Sequence, residues 1–326
     1  MTLPLIPPML ATPGGLPSAA QDERWAYETK QDGQRVMVYL PGDGSVLLRA
    51  RSGEDITAAY PELRPLGAAL GAAPAVLDGE VLALDERGRA DFQLLQSRMG
   101  LAHAPARAAR RAAQVPVHLV LFDLPYLAEP LVRLPYVRRR ARLEELGLAG
   151  PHWSTPGAVT GHGAEALRAT REHGLEGLVC KRLDSVYEPG VRSRAWIKIR
   201  NMRAEDVIVG GWLPGRGRLA GLPGAVLAGQ RAGGRLRYVG GVGTGWSEAE
   251  RAELAELLRD AASERCPFDP VPRVPHARWV LPRLVGEVSY STRTRDGMLR
   301  QPSWLRLRPD LTPRESAADL PDGFGR

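Results

Sequence analysis

Short alternating segments, separated by turns rich in glycine and proline, are the dominant pattern in the first part of the chain. WAYETK (25–30), RVMVYL (35–40) and SVLLRA (45–50) are separated by DGQ and PGDG turns. Segments of this length, rich in aromatic and β-branched residues and bounded by turn residues, are typical of strands. The pattern therefore predicts three strands here, with further strands at 75–84, 117–124, 178–182 and 195–200.

Helices are predicted where apolar residues recur with a period near 3.6. The candidates are 56–70, 136–146 and 164–173, and residues 103–114, rich in Ala and Arg, are predicted to form a short exposed helix or loop. Residues 1–23 are predicted to be an irregular leader that packs on the body.

The residue pattern of the sequence changes after Arg200. Residues 205–246 read as strands joined by Gly-rich turns, and a last strand group is predicted at 284–308. Between them, 247–262 is predicted to be a helix, with Ser247 as N-cap and Glu250 three residues on. Five or so strands with one helix favour a small β-barrel of the OB type. We therefore predict an α+β protein, with a domain of antiparallel sheets and helices at 1–202 and an OB-fold domain at 203–326.

The basic residues are distributed in an unusual way. Lys and Arg total 44 against 37 Asp and Glu, which gives a net charge of +7, yet only Lys30, Lys181 and Lys198 are lysines. The basic excess favours a polyanionic partner, nucleic acid first. Arginine stays protonated and cannot act as an amine nucleophile. We therefore predict that the three lysines occupy positions whose function requires an amine and not a guanidinium.

Composition also bears on the compartment. No run of about 18 apolar residues is present, so no transmembrane helix is predicted. The N-terminal segment is broken by prolines and lacks the basic start and apolar run of a signal peptide. Cys180 and Cys266 have no metal-type spacing, which fits a reducing compartment and excludes a zinc site built on cysteine. We expect a cytoplasmic protein, bacterial and nucleoid-associated, with no membrane partner.

The segment Glu28–Arg35, ETKQDGQR, carries the first candidate chemistry. Lys30 ends a strand and meets a turn that has an aspartate and an arginine close by. A lysine amine can attack phosphorus when its surroundings activate it. A surface lysine beside a turn would give the same short pattern, so this segment alone leaves both interpretations open.

KxDGxR resembles the adenylylation motif of the covalent nucleotidyltransferases, which comprise DNA ligases, RNA ligases and mRNA capping enzymes. The other motifs of that superfamily follow in order: RSG (51–53), DGE (78–80), FD (122–123), EGLVCK (176–181) and WIKIR (196–200). All three lysines of the chain fall inside these motifs. Five ordered matches make a chance resemblance improbable, where any one of them alone would be weak.

The second part of the chain resembles one branch of the ATP-dependent DNA ligases. The segments are LRYVGGVGTG (236–245), GEV (286–288) and DGMLRQPS (296–303), and they are similar to the ligase module of bacterial end-joining ligase D and its stand-alone relatives. RLRPD (306–310) resembles the last superfamily motif, RxDK. The resemblance implies that residues 1–202 are an adenylation (nucleotidyltransferase) domain, followed by the OB-fold domain at 203–326.

The resemblance implies roles for the residues around the nucleotide. Lys30 would be the nucleophile that takes AMP from ATP as a phosphoramide. Glu28 would lie beside the adenine, and Phe122 would stack on it, because an aromatic ring offers a flat apolar surface. Arg35 and Arg51 would contact the ribose and the phosphates.

Two further lysines and two carboxylates complete the implied site. Lys181 and Lys198 would hold the α-phosphate as compact point charges. Glu80 and Glu176 would be the carboxylates on the metal side, with Glu80 also close to the nucleotide. The metal would be Mg²⁺ or Mn²⁺, since hard carboxylates suit such ions and their bridging phosphates.

Two departures from the family pattern affect the phosphate contacts. Arg200 stands where the motif matched by WIKIR (196–200) usually ends in lysine, and it would still bind phosphate. Arg308 and Asp310 would orient the departing pyrophosphate when the second domain closes, but Leu311 occupies the place of the lysine in RxDK. This departure concerns the step in which the chain would be charged with AMP from ATP.

The implied activity is ATP-dependent sealing of 5′-phosphate/3′-hydroxyl nicks in double-stranded DNA, within DNA break repair. A chain of this length leaves no room for the large N-terminal domain of replicative ligases, or for polymerase and nuclease domains. We therefore expect a monomer working with Ku and separate end-processing enzymes. The alternatives are an RNA ligase, a GTP-using capping-type enzyme, or a catalytically silent nucleic-acid binder.

Overall fold

The computed structural model describes residues 3–314. The chain divides into two compact units, Met1–Asn201 and Met202–Arg326. The predicted boundary, between residues 202 and 203, differs from this division by one residue.

The strands of the first unit are β1 (Leu10–Pro13), β2 (Trp25–Thr29), β3 (Gln34–Leu40), β4 (Leu47–Ala50), β5 (Ala75–Ala83), β6 (Val117–Leu127), β7 (Glu129–Pro130), β8 (Trp153–Ser154), β9 (Val159–Thr160), β10 (Gly177–Arg182) and β11 (Arg192–Arg200). Its α-helices are α1 (Leu66–Ala69), α2 (Phe92–Gln96), α3 (Pro105–Gln114), α4 (Tyr136–Glu145) and α5 (Gly163–Glu172). Short 3-10 helices lie at Ala19–Arg24, Thr57–Ala59, Pro61–Leu63 and Leu101–His103.

These strands form two sheets that are antiparallel for the most part. The first has the order β1-β11-β10-β2-β9, and the second has the order β4-β3-β5-β6-β7, with β8 alongside β6. The parallel pairs are β1 with β11 and β6 with β8. Part of the predicted leader is therefore an edge strand, because β1 begins at Leu10 and pairs with β11.

Alternation along β3 explains how the two sheets pack. Successive side chains of a strand point to opposite faces. Val36 and Val38 enter a core shared with the helices and 3-10 turns, whereas Met37 enters a second core with Tyr187 and Trp196. Since Trp196 belongs to β11, this second core joins the faces of the two sheets. Phe122 and Trp196 of this second core also line the candidate site.

The predicted helix at 56–70 is wrong. The segment forms two 3-10 turns and the four-residue α1. Pro61 and Pro65 lie inside the segment, and a proline disfavours the helical conformation of the residue before it and interrupts the hydrogen-bond ladder. Tyr60 accordingly has φ −128° and ψ 63°, outside the helical region.

The strands of the second unit are β12 (Arg203–Pro214), β13 (Pro223–Ala232), β14 (Arg235–Val242), β15 (Ala262–Ser263), β16 (Arg278–Val280), β17 (Val285–Tyr290), β18 (Thr292–Arg293), β19 (Leu299–Arg300) and β20 (Ser303–Leu307). A 3-10 helix lies at Gly217–Leu219, and α6 spans Glu248–Asp260. The predicted capping box is confirmed: the Ser247 hydroxyl accepts from the Glu250 N–H, and the Glu250 carboxylate accepts from the Ser247 N–H.

One sheet dominates the second unit. Its main order is β14-β13-β12-β16-β15, and β17 pairs with both β12 and β20. The described pairings do not close it into a ring, although the Trp304 N–H donates to the Thr244 carbonyl at 2.8 Å, beyond the end of β14. The predicted α+β class is confirmed, and this unit is consistent with an OB fold whose barrel is left open. Within residues 3–314, no helix is long and apolar enough to cross a membrane.

Candidate active site

A cleft of about 820 Å³, including its open mouth, lies in the first unit. All three lysines of the chain line it. The full lining is Leu10, Ala11, Glu28, Thr29, Lys30, Gln31, Arg35, Arg51, Glu80, Phe122, Val179, Lys181, Arg192, Trp196, Lys198 and Arg200.

Strand register brings motifs that are distant in sequence onto one face. Lys198 on β11 lies opposite Val179 on β10, which lies opposite Glu28 on β2. Lys181 and Trp196 form the next facing pair. Residues opposite one another in a sheet point to the same face. This face lines the cleft, while the other face of the same strands packs into a core with α5.

Lys30 lies directly after β2, where its backbone N–H still donates to the Gly177 carbonyl at 2.9 Å. Its ammonium Nζ lies 2.6 Å from Glu176 Oε2. Glu176 Oε1 is also 3.4 Å from Arg200 Nε. Burial raises the pKa of the Glu176 carboxyl, and the Lys30 charge opposes that rise. The pair is nearly buried, with side-chain exposures of 17% and 11%, so the amine is held in one place at the cleft.

Lys181 is the most enclosed of the lysines, with 1% of its surface exposed. Its Nζ lies 2.7 Å from Glu28 Oε2 and donates to the Phe122 carbonyl at 3.1 Å. The same Nζ is 4.5 Å from the ring centroids of Phe122 and Trp196. Burial lowers the pKa of Lys181, and the Glu28 carboxylate opposes this. Glu28 also accepts a hydrogen bond from the Tyr136 hydroxyl.

Arg35 is held by a two-pronged contact with a buried aspartate. Its Nε and Nη2 lie 2.5 and 2.6 Å from the two carboxylate oxygens of Asp78. The Tyr187 hydroxyl donates to Asp78 Oδ2 at 2.6 Å. Burial acts to lower the pKa of Arg35, but Asp78 outweighs it and the pKa is raised. The guanidinium carbon lies 4.5 Å from the Phe122 ring centroid, so this ring contacts two cations.

Glu80 is the carboxylate whose ionisation is most perturbed. Burial raises its pKa to about 7, while Arg35 and Lys30 act in the opposite direction. A carboxyl of this kind is only partly ionised at neutral pH. A cation entering the cleft would favour its charged form.

One end of the cleft is strongly cationic. Partial burial lowers the pKa of Lys198, and the charges of Arg200, Arg192, Lys30 and Arg51 lower it further. Arg192 is placed there by the leader, since its Nη1 donates to the Ala11 carbonyl at 2.7 Å. Clustered cations in a concave site attract phosphates.

Three of the predicted site residues do not line the cleft. Glu176 lies next to it, paired with Lys30. Arg308 and Asp310 lie in the second unit, where Arg308 Nη2 is 2.8 Å from Asp310 Oδ2 and Nη1 is 3.0 Å from Asp206 Oδ1. Their role toward pyrophosphate stays a prediction.

The sequence analysis missed several residues of the site. Asp78 stands two positions before Glu80 on β5, so strand alternation could have placed both on one face. Arg192 lies on β11 with Trp196 and Lys198. Its positive charge on the same strand as Lys198 could have indicated that it belongs to the site. Tyr136 and Tyr187 gave no signal, because their partners Glu28 and Asp78 are 108 and 109 residues away in the sequence.

The carboxylates around the cleft are few but suit one mode of divalent-cation binding. Within the described residues, no group of three or more His, Cys, Asp or Glu side chains is arranged to hold a metal ion. Mg²⁺ is commonly bound by one or two carboxylates together with substrate phosphates and water. Glu80 lines the cleft and Glu176 lies at its edge, so the residues present fit that mode.

The chain belongs to the ATP-dependent DNA ligase family. The family model described as "ATP dependent DNA ligase domain" matches residues 8–200, and "ATP dependent DNA ligase C terminal region" matches residues 220–311. These two matches extend over the parts of the chain that hold the cleft and most of the second unit.

Individual relatives agree with this assignment. The chain is 40% identical over 313 residues to the "Multifunctional non-homologous end joining protein LigD" of Mycolicibacterium smegmatis, covering 94% of this chain but 39% of that protein. It is 34% identical to a DNA ligase of Thermococcus onnurineus, covering 89% of this chain and 52% of that protein. The crystal structure of the ligase domain of M. tuberculosis LigD matches with a TM-score of 0.56 and 39% identity, covering 96% of this chain and 98% of that one. The chain therefore spans about two fifths of the length of its LigD relatives.

Proposed function

We propose that this chain seals 5′-phosphate/3′-hydroxyl nicks in duplex DNA through an AMP group carried covalently on Lys30. The observation that carries the proposal is the gathering of all three lysines on one cleft, with Lys30 paired to Glu176 at its edge. All other basic residues of the chain are arginines. The presence of lysine at these three positions therefore supports a need for an amine in the cleft.

In the first step, the Lys30 nitrogen attacks the α-phosphorus of ATP. A nitrogen–phosphorus bond forms, the bond from the α-phosphorus to the bridging oxygen breaks, pyrophosphate departs and the amine's surplus protons pass to solvent. Such transfers depend on in-line positioning and on neutralising the charge spread over the phosphate oxygens. The ion pair with Glu176 supports the positioning, because it fixes the amine beside the cationic end of the cleft.

The remaining residues would bind and orient the nucleotide. Lys198 and Arg200, both at the cationic end, would neutralise phosphate charge. Lys181 would reach the α-phosphate by leaving part of its contact with Glu28. Adenine would stack on the Phe122 ring. In this structure the Arg35 guanidinium and the Lys181 ammonium contact that ring.

Further contacts would come from Arg35 and Arg51, toward the ribose and phosphates. Glu80 and Glu176 would hold Mg²⁺ or Mn²⁺, which supplies charge neutralisation at the phosphates. Arg308 and Asp310 of the second unit would orient the departing pyrophosphate.

The second and third steps would act on DNA. The AMP would move to the 5′-phosphate at the break, and the 3′-hydroxyl would then displace AMP and join the strand. The relative from Mycolicibacterium smegmatis is described as an end-joining protein, which supports a role in break repair. We propose Ku and separate end-processing enzymes as partners of a monomer acting in the bacterial cytoplasm at the nucleoid.

The test uses ATP and GTP labelled at the α-phosphate, with wild-type protein and Lys30→Arg. The arginine variant keeps the positive charge but removes the nucleophile. Wild type should become labelled from ATP and pass the label to nicked DNA, while Lys30→Arg should show no label and unfold at a similar denaturant concentration. Unlabelled wild type would overturn the proposal. Labelling from GTP, or transfer to nicked RNA alone, would favour the other members of the superfamily.

A further inference from the structure

Helix α3, outside the cleft, presents a row of arginines that the proposed chemistry does not use. Arg107, Arg110 and Arg111 line one open surface depression of about 770 Å³, including its open mouth, together with Ser97 and Gln114. The spacing 107, 110, 111 and 114 places these residues on one side of an α-helix. Arg107 and Arg110 are exposed. We call these five residues the arginine face.

The charge of the arginine face is not balanced locally. No aspartate or glutamate occurs between Asp91 and Asp123. Within residues 3–314, no carboxylate lies at ion-pair distance from the three arginines. Arg111 is instead held by neutral groups, with its Nε 3.2 Å from Ser97 Oγ and its Nη1 2.8 Å from Gln114 Oε1. Like charges three and four residues apart destabilise a helix slightly, so an anion bound across them would relieve that repulsion.

The segment that precedes α3 contacts the loop that follows one cleft residue. Arg51 lines the cleft, and Glu54, in the same loop, has its Oε1 3.6 Å from Nε2 of His103. His103 ends the 3-10 turn that directly precedes α3. One surface contact therefore links the Arg51 loop to the start of the α3 segment.

We propose that the arginine face binds the phosphate backbone of duplex DNA beside the break, which rests on the function proposed above. From Arg107 to Arg111 the helix rises about 6 Å, which is close to the roughly 7 Å of axial rise over two nucleotides of one strand. Arginine forks suit phosphate oxygens, and contacts of this kind position a duplex without reading its sequence. An enzyme that seals DNA breaks needs binding that is independent of base sequence, because breaks occur in any sequence.

The test compares wild type with Arg107→Gln/Arg110→Gln, leaving Arg111 with its contacts to Ser97 and Gln114. Binding to a nicked DNA duplex is measured across a series of salt concentrations, alongside the rate of AMP attachment to Lys30. The variant should bind DNA at least about tenfold more weakly at 0.1 M salt, and the slope of log K against log salt should fall by about 2. AMP attachment should be unchanged, because α3 is outside the cleft.

Arg138→Gln/Arg142→Gln is the matched control. It removes the same charge from exposed positions of α4 in the same unit. Equal weakening by the control would show that net charge alone explains the effect, and it would overturn the proposal. Unchanged DNA binding by the α3 variant would overturn it as well. Failure of wild type to take up AMP would instead overturn the proposed function.

Discussion

The Lys30 ammonium lies 2.6 Å from the Glu176 carboxylate, although 146 residues separate them in the sequence. Because of this pair, the position of the amine depends on Glu176. We expect Glu176→Gln to slow AMP attachment to Lys30 by at least about tenfold, which corresponds to roughly 1.4 kcal/mol of activation free energy. The measurement is single-turnover labelling with ATP. Glu172→Gln, which removes an exposed carboxylate of α5, should keep the wild-type rate, and equal losses in both variants would contradict the role of the pair.

The Arg35–Asp78 contact should be important for stability. Asp78 is fully buried, so Asp78→Asn would leave a guanidinium short of its partner and cost about 3 kcal/mol of unfolding free energy. Tyr187→Phe removes one hydrogen bond to the same carboxylate and should cost about 1.5 kcal/mol. Chemical denaturation measures both. Asp184→Asn breaks an exposed pair with Arg182 and should change stability by less than about 1 kcal/mol, so a comparable loss there would refute this explanation.

Arg308 should affect one step of the reaction and not the others. If its guanidinium contacts departing pyrophosphate, Arg308→Ala should slow AMP attachment by about ten- to a hundredfold. Joining of a nicked duplex that already carries AMP on its 5′-phosphate should continue, because no pyrophosphate leaves in that step. The two rates are measured separately. Arg306→Ala removes a neighbouring exposed arginine paired with Glu287 and serves as the control, and equal slowing of both steps in Arg308→Ala would contradict the assigned role.

The two cysteines should differ in reactivity. Burial raises the pKa of the Cys180 thiol to about 12, whereas Cys266 is only partly buried. The thiolate is the reactive form, so at pH 8 Cys180 is both protonated and enclosed. A colorimetric thiol titration of the native protein should detect Cys266 alone, and Cys266→Ser should show no reactive thiol until the chain unfolds. Rapid reaction of native Cys266→Ser would show that the β10 core is open to solvent.

Local patterns predicted much of this fold. The strand segments at 25–30 and 35–40 correspond closely to β2 and β3, because alternation and turn residues act over a few positions. The two strands do not pair with each other but belong to different sheets. The capping box at Ser247 was predicted for the same reason. Residues 56–70 do not form one helix, because Pro61 and Pro65 interrupt a segment that has a helical apolar period. No local pattern indicated that β1 would pair with β11, because that contact joins segments about 180 residues apart.

Some features of the candidate site could also be predicted from the sequence, and others could not. Lys30, Lys181 and Lys198 could be selected from the sequence, because the chain otherwise uses arginine for positive charge. Which carboxylate pairs with which cation could not be selected, since Lys30–Glu176 and Lys181–Glu28 are set by strand register and packing. The burial that raises the pKa of Glu80 to about 7 is likewise a property of the assembled sheets.

The confinement of lysine to the cleft has a practical consequence for probing this protein. Apart from the N-terminal α-amine, every primary amine of the chain lines that one cavity. Acylating reagents, which are used to footprint protein surfaces, therefore have no lysine elsewhere to modify. Lys181 is enclosed, so the modification pattern would report on Lys30 and Lys198 alone. Mass-spectrometric footprinting could thus follow occupancy of the cleft in the unaltered protein, without an introduced label.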